Sequence, residues 1–333
     1  MKKIAQQLGR RPIEGVICVL LLGFGVGITG FFDVHNFQNI LSQLAPVLLL
    51  ACGQAVVMIS GGLDLSQGSL VGVSSVCFVL LARNFGIGAA ALATVAIATG
   101  VGVVNAVVTK WVKNSFIATF SSMYVLMGAV IYATGGTAIS EMPATVRGSL
   151  QWVGSDTMFA LPAGFVLAVI AIGILGIFLH GSRPGLAIYA WGANTTAARV
   201  HGIREMPIQL VAFSLSAVYA SLAGMLLSAR VLQGNPQMGE GLIFESIAAC
   251  VVGGVALTGG IGGIWMVFRG CLLVAIIQNG LYLSDMNSHV RDIVVGAMIA
   301  LSVLVARARY PIPAIPSPLL PSPTGARPPP HSA

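Results

Sequence analysis

Charged residues are scarce in this chain of 333 residues, of which only 8% are Asp, Glu, Lys or Arg. Soluble domains carry about 25%, so there are too few charged side chains here to cover a surface in water. The hydrophobic share is 56%, and the mean hydropathy is +0.91. We therefore predict an all-α polytopic membrane protein embedded in a lipid bilayer, because helices satisfy their own backbone hydrogen bonds in lipid.

Motifs for nucleotide binding, hydrolysis and metal binding are also missing. The only lysines are at positions 2, 3, 110 and 113, and none follows a GxxxxGK[ST] loop, so the chain has no P-loop for ATP. The sequence contains no HExxH motif and no nucleophile elbow, and its five histidines are scattered. The five cysteines lie in apolar runs without a CxxC pair. We expect no catalytic residues, no metal and no cofactor in this chain.

Apolar segments that can cross a membrane fill most of the chain. A span needs roughly 20 residues to cross ~30 Å of hydrocarbon. About ten spans are predicted, at 13–32, 40–60, 68–84, 86–109, 116–134, 160–180, 208–229, 244–260, 264–283 and 290–306. They divide the chain into an N-terminal segment 1–12, a transmembrane permease domain 13–306 with its largest internal loop at 181–207, and a tail 307–333. The tail is rich in proline, which predicts a disordered segment.

The positive charges indicate the orientation of these spans. The formal net charge is +7, and the Lys and Arg residues lie in short gaps between apolar runs, which reports topology rather than nucleic-acid binding. With the N-terminus inside, twelve of them lie on the inner side and four on the outer side, namely Arg83, Arg147, Arg230 and Arg291. Arg269 lies near the inner end of the ninth span, where its side chain is expected to snorkel to the surface. This asymmetry predicts that both termini are cytoplasmic.

The largest polar interruption is the segment 181–207, GSRPGLAIYAWGANTTAARVHGIREMP. Asn194 suits a helix N-cap, residues 195–201 can form two turns, and Gly202 suits a left-handed residue after the helix. An isolated helix shorter than ~12 residues is marginal in water. If its own chain does not cover this helix, we expect a partner protein to do so.

Asp64 stands out between the second and third predicted spans, in SGGLDLSQGS. An ionised Asp within the membrane costs ~2.5–3.5 kcal/mol on insertion scales. One interpretation makes Asp64 and Ser66 part of a gate or pathway. The other has Asp64 or Ser66 capping the third span at the membrane surface.

Uncharged amides within the predicted spans are further pathway candidates: Gln54, Asn105, Gln278 and Asn279. A solute rich in hydroxyls needs weak partners, and each net hydrogen bond contributes only ~1 kcal/mol. Hydrogen bonding between helices, at ~0.6 kcal/mol each, explains the same residues equally well. Two glycine-rich segments, 61–68 and 253–260, also look alike, which indicates either an internal duplication or chance similarity.

Six motifs occur in a fixed order over residues 36–306: SGGLDLSQGS (60–69), NAVVTKWVKNSFIATFSSM (105–123), YATGGTAIS (132–140), GLAIYAWGANTTAARVHGI (185–203), ESIAACVVGGVALTGGIGG (245–263) and QNGLYL (278–283). Together they resemble the permease subunits of bacterial ABC sugar importers of the ribose/xylose/galactose type, in the branched-chain amino acid/sugar permease superfamily. The chain departs from the family pattern at Asn114-Ser115, where prolines are usual, and at Gln67 and Ala256.

The resemblance implies a type II ABC-importer-like permease in the bacterial inner membrane. Two permease subunits, either identical copies or paralogues, form the pathway for a pentose or hexose. A separate cytoplasmic ATPase, often a tandem, binds ATP-Mg, and a periplasmic binding protein delivers the sugar.

The resemblance also implies that segment 193–203 is the coupling helix that enters the ATPase groove. Its implied contact residues are Ala193, Asn194, Thr195, Ala197, Ala198, Arg199 and Gly202. Ala197 and Ala198 permit close approach, and Arg199 could pair with an acid of the ATPase. Alternatively, Arg199 serves only as a positive-inside anchor.

Other transport functions stay open at this point. A permease of the same fold could carry a nucleoside, an autoinducer or a branched-chain amino acid. An ion-coupled secondary transporter is a different class, and proton coupling is disfavoured because no span carries paired acids. A membrane scaffold without transport activity is a third class, which the amides within the spans disfavour.

Overall fold

The structure is a computed structural model. It describes residues 12–287 and residues 289, 290, 293, 294, 296, 297 and 300. The predicted N-terminal segment up to residue 11, the tail 307–333 and most of the predicted tenth span lie outside the described residues.

Eleven helices and one short hairpin make up the described chain. The helices are α1 (Pro12–Gly27), α2 (Val34–Ile59), α3 (Gln67–Val112), α4 (Ser115–Thr134), α5 (Ala144–Ser155), α6 (Ala163–Gly181), α7 (Arg183–Ala193), α8 (Thr195–Val200), α9 (Glu205–Val231), α10 (Leu242–Gly253) and α11 (Ile264–Leu283). Strands β1 (Thr157–Met158) and β2 (Leu161–Pro162) pair antiparallel, with Thr157 opposite Pro162. A single bridge joins Ile139 to Gly234.

Six of the described helices are long and apolar enough to cross a membrane, namely α2, α3, α4, α6, α9 and α11. Helix α3 has 46 residues, which corresponds to about 69 Å and is more than twice the ~30 Å hydrocarbon thickness. Its helical geometry is interrupted at Gly86, where φ is 75° and ψ is 167°. This interruption lies between the third and fourth predicted spans, and the division of α3 into two spans stays a prediction. The helical, multi-pass character of the chain is confirmed.

The predicted span at 244–260 is wrong in its second half. Helix α10 ends at Gly253, because Gly254 has a φ of 103°, a left-handed conformation that favours glycine. Residues 254–263 continue as irregular backbone. The twelve residues of α10 extend about 18 Å, too short for a full crossing.

The core is built around α2, which is buried continuously from Leu44 to Ile59. Helix α9 packs along both α2 and α3. A Cβ at Gly224 of α9 would lie 2.5 Å from the carbonyl oxygen of Val71, so only glycine allows this approach. Helix α4, in contrast, buries only Ala118, Thr119 and Val130 within the chain. Most of its surface is therefore available to lipid or to a partner.

Candidate functional site

The loop between α2 and α3 carries Asp64 into the interior of the protein. Asp64 is 1% exposed. Its Oδ1 accepts hydrogen bonds from the Ser66 backbone N–H at 3.0 Å and from the Ser66 hydroxyl at 2.6 Å. Ser66 is the N-cap residue of α3, but no side chain forms a capping hydrogen bond there. The carboxylate is enclosed by protein, and both the pathway interpretation and the position at the membrane surface stay predictions.

Two chains of side-chain hydrogen bonds converge on the Asp64 carboxylate. In the first, Asn105 Nδ2 donates to Ser66 Oγ at 2.8 Å, and Ser66 Oγ donates to Asp64 Oδ1. In the second, Gln67 Nε2 donates to Ser216 Oγ at 2.7 Å, and Ser216 Oγ donates to Asp64 Oδ2 at 2.6 Å. Burial raises the pKa of Asp64, and the hydrogen bonds from Ser216 and Ser66 offset part of that rise. We call these five residues the Asp64 cluster.

Helix α4 holds the backbone of the same loop. Ser115 Oγ accepts from the Leu63 N–H at 3.0 Å, and Thr119 Oγ1 accepts from the Leu65 N–H at 3.0 Å. Thr119 Oγ1 in turn bonds the Ser115 carbonyl at 2.8 Å. Because buried backbone amides need partners, these two hydroxyls permit an irregular segment inside the bundle.

The structure brings together only some of the predicted pathway residues. Asp64, Ser66 and Asn105 belong to the Asp64 cluster, whereas Asn279 forms a reciprocal amide pair with Asn36 of α2, at 2.9 and 2.8 Å. Gln278 is half-buried. A role of these residues in translocation stays a prediction.

Gln54 differs from the other candidates. It is fully buried, yet neither its Oε1 nor its Nε2 has a hydrogen-bond partner among the described residues. A buried amide left unpaired costs ~1–3 kcal/mol. Its hydrogen-bonding capacity is therefore free in this conformation.

Sequence reasoning missed four polar partners of these candidates: Ser115, Thr119, Ser216 and Asn36. Thr119 and Ser216 lie in ordinary apolar spans and carry no spacing signal, and Ser115 is noted in the sequence only as a departure from the family pattern. Gln67 was noticed only as a departure from the family pattern, yet its side chain is fully buried in the Asp64 cluster. The available signal was Gln67 itself, a polar residue where the family often has a small apolar one, three positions after Asp64.

The predicted local structure of the segment 181–207 is confirmed. Asn194 Oδ1 accepts from the Ala197 N–H at 2.9 Å and caps α8. Gly202 has a φ of 79° and follows the helix, and the Ile203 N–H reaches back to the Ala198 carbonyl at 3.0 Å. This is the pattern of a left-handed helix end.

Helix α8 rests on its own chain along one side only. Ala198 is buried, whereas Thr195, Thr196, Ala197 and Val200 are exposed. Val200 is 82% exposed. The outer face of α8 therefore consists of small and aliphatic side chains that the described part of the chain leaves uncovered.

Arg199 finds its acid within the same chain. Its Nη2 donates to Glu205 Oε2 at 2.9 Å, and its guanidinium lies 5.3 Å from the ring centre of Trp191. The ion pair is largely exposed, so it contributes at most ~1 kcal/mol. Its effect is to orient α8 relative to the start of α9.

Three backbone segments meet beside α8, in what we call the glycine junction: residues 59–61, 192–193 and 259–262. The Gly260 N–H donates to the Ile59 carbonyl at 2.8 Å. A Cβ at Gly192 would lie 1.8 Å from that same carbonyl oxygen. The two similar glycine-rich segments thus touch each other here, with a Cβ at Gly259 only 3.0 Å from the Gly61 Cα. The glycine junction joins the end of α7 directly to the loop that carries Asp64.

Arg269 has an acidic partner that the sequence does not predict. It donates to Glu14 of α1, an ion pair whose two side chains are only 20% and 34% exposed. The pair does not test whether Arg269 reaches the inner membrane surface, which stays a prediction. The pair ties α11 to α1.

Comparison with known proteins decides the family. Residues 36–303 match the family described as branched-chain amino acid transport system / permease component. The chain belongs to this family. The permease is 33% identical to the ribose import permease protein RbsC of Escherichia coli strain K12 over 280 residues, which is 83% of this chain and 86% of that protein.

Two other relatives show the breadth of the similarity. The permease is 33% identical to the probable ABC transporter permease protein YphD of Escherichia coli strain K12, covering 87% of this chain and 86% of that protein. It is 30% identical to the autoinducer 2 import system permease protein LsrC of Yersinia enterocolitica, covering 88% and 81%. No solved structure matches the chain.

Proposed function

We propose that this permease forms, with a second permease chain, the translocation pathway of an ATP-driven importer for a monosaccharide, either a pentose or a hexose. The match to the permease family over residues 36–303 carries this proposal, and relatives named for ribose import support the sugar. In this proposal the protein lies in the bacterial inner membrane, with about ten spans and both termini in the cytoplasm. A periplasmic binding protein delivers the sugar.

Energy enters through α8 from a separate ATPase that binds ATP-Mg. The exposed face of α8, with Val200 at its end, supports this role because the chain leaves it uncovered. The glycine junction then offers a rigid path from α7 to the Asp64 loop. Closely packed backbones transmit displacement, because protein interiors are dense and barely compressible.

Gln54 is the pathway candidate that we favour for contact with the sugar. Both amide atoms of Gln54 are unpaired among the described residues. The other candidates already form hydrogen bonds with protein groups, namely Asp64, Ser66, Asn105 and Asn279. Opening of the bundle would let the Gln54 amide reach a hydroxyl of the solute. Gln54→Leu should then reduce uptake without lowering the melting temperature, because no protein hydrogen bond is lost.

Reconstitution of the full-length chain tests the function. We expect uptake of radiolabelled ribose, xylose or galactose into proteoliposomes only when the ATPase, the binding protein and internal ATP are all present. Uptake by the permease alone, driven by an ion gradient and unaffected by ATP depletion, would instead establish a secondary transporter.

Import of autoinducer 2 is the second candidate, because several relatives are named for it. The ligand of the binding protein that serves this permease distinguishes monosaccharide import from autoinducer 2 import. If that protein binds autoinducer 2 and none of the three sugars, the monosaccharide assignment fails while the ATP-driven mechanism stands.

A further inference from the structure

An apolar cavity of about 350 Å³ lies between α2, α3, α5, α6 and α9, and none of its lining residues belongs to the Asp64 cluster or to α8. Its wall includes Leu49, Phe78, Ile87, Leu150, Leu167 and Leu226. Among the described residues that line it, only Ser149 and Trp152 have a polar group in the side chain. The volume is within the range of small-molecule sites, which is ~300–1,000 Å³.

The lining selects an apolar occupant. A sugar placed here would lose its hydrogen bonds to water and gain almost none, which makes the cavity unsuitable as part of the solute path. Cavities with such walls accept apolar molecules instead. Four of the five helices that form the cavity (α2, α3, α6 and α9) are long and apolar enough to cross a bilayer, so acyl chains are the apolar molecules next to it.

A positively charged residue, Arg230, lies next to this cavity. Leu222, Leu226 and Arg230 follow one another at four-residue intervals on one face of α9. Arg230 lines a small adjoining cavity, which shares Val153, Gly164 and Leu226 with the large one. The apolar and the charged surfaces are therefore continuous.

Arg230 has no counter-ion within the part of the chain that the structure describes. Arg83, Arg199 and Arg269 each lie within ion-pair distance of a carboxylate, but Arg230 does not, and its side chain donates no hydrogen bond there. It belongs to the last turn of α9. Trp152, which also lines the cavity, is 47% exposed. Arg and Trp side chains at the end of a span are typical of the depth of lipid headgroups.

We propose that this cavity and Arg230 together bind one anionic phospholipid, with an acyl chain in the cavity and the phosphate against the guanidinium. Arginine suits this role because its fork of N–H donors matches the oxygens of a phosphate. The apolar contacts hold the chain regardless of headgroup, while Arg230 selects a negative one. The site is independent of the sugar pathway.

The headgroup part is tested with the full-length permease and its copurifying subunits in nanodiscs of equal phosphatidylglycerol and phosphatidylcholine. After transfer to detergent, native mass spectrometry counts the retained lipids. We expect phosphatidylglycerol to exceed phosphatidylcholine about fivefold in the wild type. Arg230→Gln should remove this preference and Arg230→Lys should keep most of it. Arg147→Gln is the control, because Arg147 is exposed on α5 and does not line either cavity.

The acyl-chain part is tested by filling the cavity. Ala91 lines it, whereas Ala89, two residues earlier on α3, is exposed and does not. Ala91→Phe should lower retention of both lipids several-fold, and Ala89→Phe should not. Ala91→Leu gives a smaller filling if the Phe variant melts below the wild type. Equal retention in the Ala91 and Ala89 variants, or no lipid retained by the wild type, would overturn the proposal.

Discussion

The hydroxyl of Ser216 donates a 2.6 Å hydrogen bond to the carboxylate of Asp64, which lies 152 residues earlier in the chain. This bond joins the α2–α3 loop to α9. Each serine of the Asp64 cluster gives its only proton to Asp64 and accepts one from an amide. The two serines therefore link the Asp64 oxygens, as acceptors, to the amide groups of Asn105 and Gln67, as donors.

Asp64→Asn should destabilise the permease by ~1–3 kcal/mol, because an amide NH₂ replaces an acceptor and leaves one serine proton unpaired in the interior. Unfolding in mixed micelles, titrated with a denaturing detergent, measures the change. Ser216→Ala should also destabilise, and the double variant should cost less than the sum of the two single ones. Additive losses would show that the two residues act independently.

Gly192→Ala should disturb the glycine junction. The new Cβ would lie 1.8 Å from the Ile59 carbonyl oxygen, so the backbones must separate, at a cost of ~1–3 kcal/mol. We expect lower thermal stability and weaker stimulation of the ATPase by sugar-loaded binding protein. Gly181→Ala is the matched control, since a Cβ there meets only the tip of Ile177 at 4.0 Å. Equal effects of the two variants would remove the junction from the coupling path.

Arg199→Glu should impair transport, because it places a carboxylate opposite Glu205 and reorients α8. The charge-swapped double variant, Arg199→Glu with Glu205→Arg, separates two roles of Arg199. Recovery of ATP-dependent uptake in the double variant means that the pair acts within the chain. Failure to recover, with normal membrane insertion, means that Arg199 itself contacts the ATPase.

Asn279→Ala should lower stability by ~0.6–1.7 kcal/mol, the range for hydrogen bonds between membrane helices. The loss leaves the amide of Asn36 without its partner in α11. Replacing both residues by Leu should cost less than either single Leu variant, because no amide is then left unpaired. The unfolding titration used for Asp64 measures these variants, and transport by the double Leu variant shows whether Asn279 contacts the solute.

Local features were predictable from the sequence. The Asn194 cap and the left-handed Gly202 depend on residues within one or two turns, so their spacing predicts them correctly. Long apolar runs predicted most helices for the same reason, and Gly86 interrupts α3 where a boundary was expected.

Tertiary pairings were not predictable in this way. Asn36 and Asn279 are 243 residues apart, and nothing in either neighbourhood specifies the other. The Glu14 partner of Arg269 is not predictable in this way either, because Glu14 lies far away in the sequence. The end of α10 was missed because the residues after Gly253 are as apolar as a span, and only the φ of 103° at Gly254 ends the helix.

The loop that carries Asp64 has a consequence for amide hydrogen exchange. The N–H groups of Leu63, Leu65 and Ser66 belong to no helix, yet Ser115, Thr119 and Asp64 side chains accept from them. Exchange at the Leu63 and Leu65 amides therefore requires α4 to move away from the loop rather than a helix end to fray, whereas the Ser66 amide is held by Asp64 within the loop itself. Deuterium uptake at the Leu63 and Leu65 amides during ATP turnover would report how often the bundle opens around Asp64.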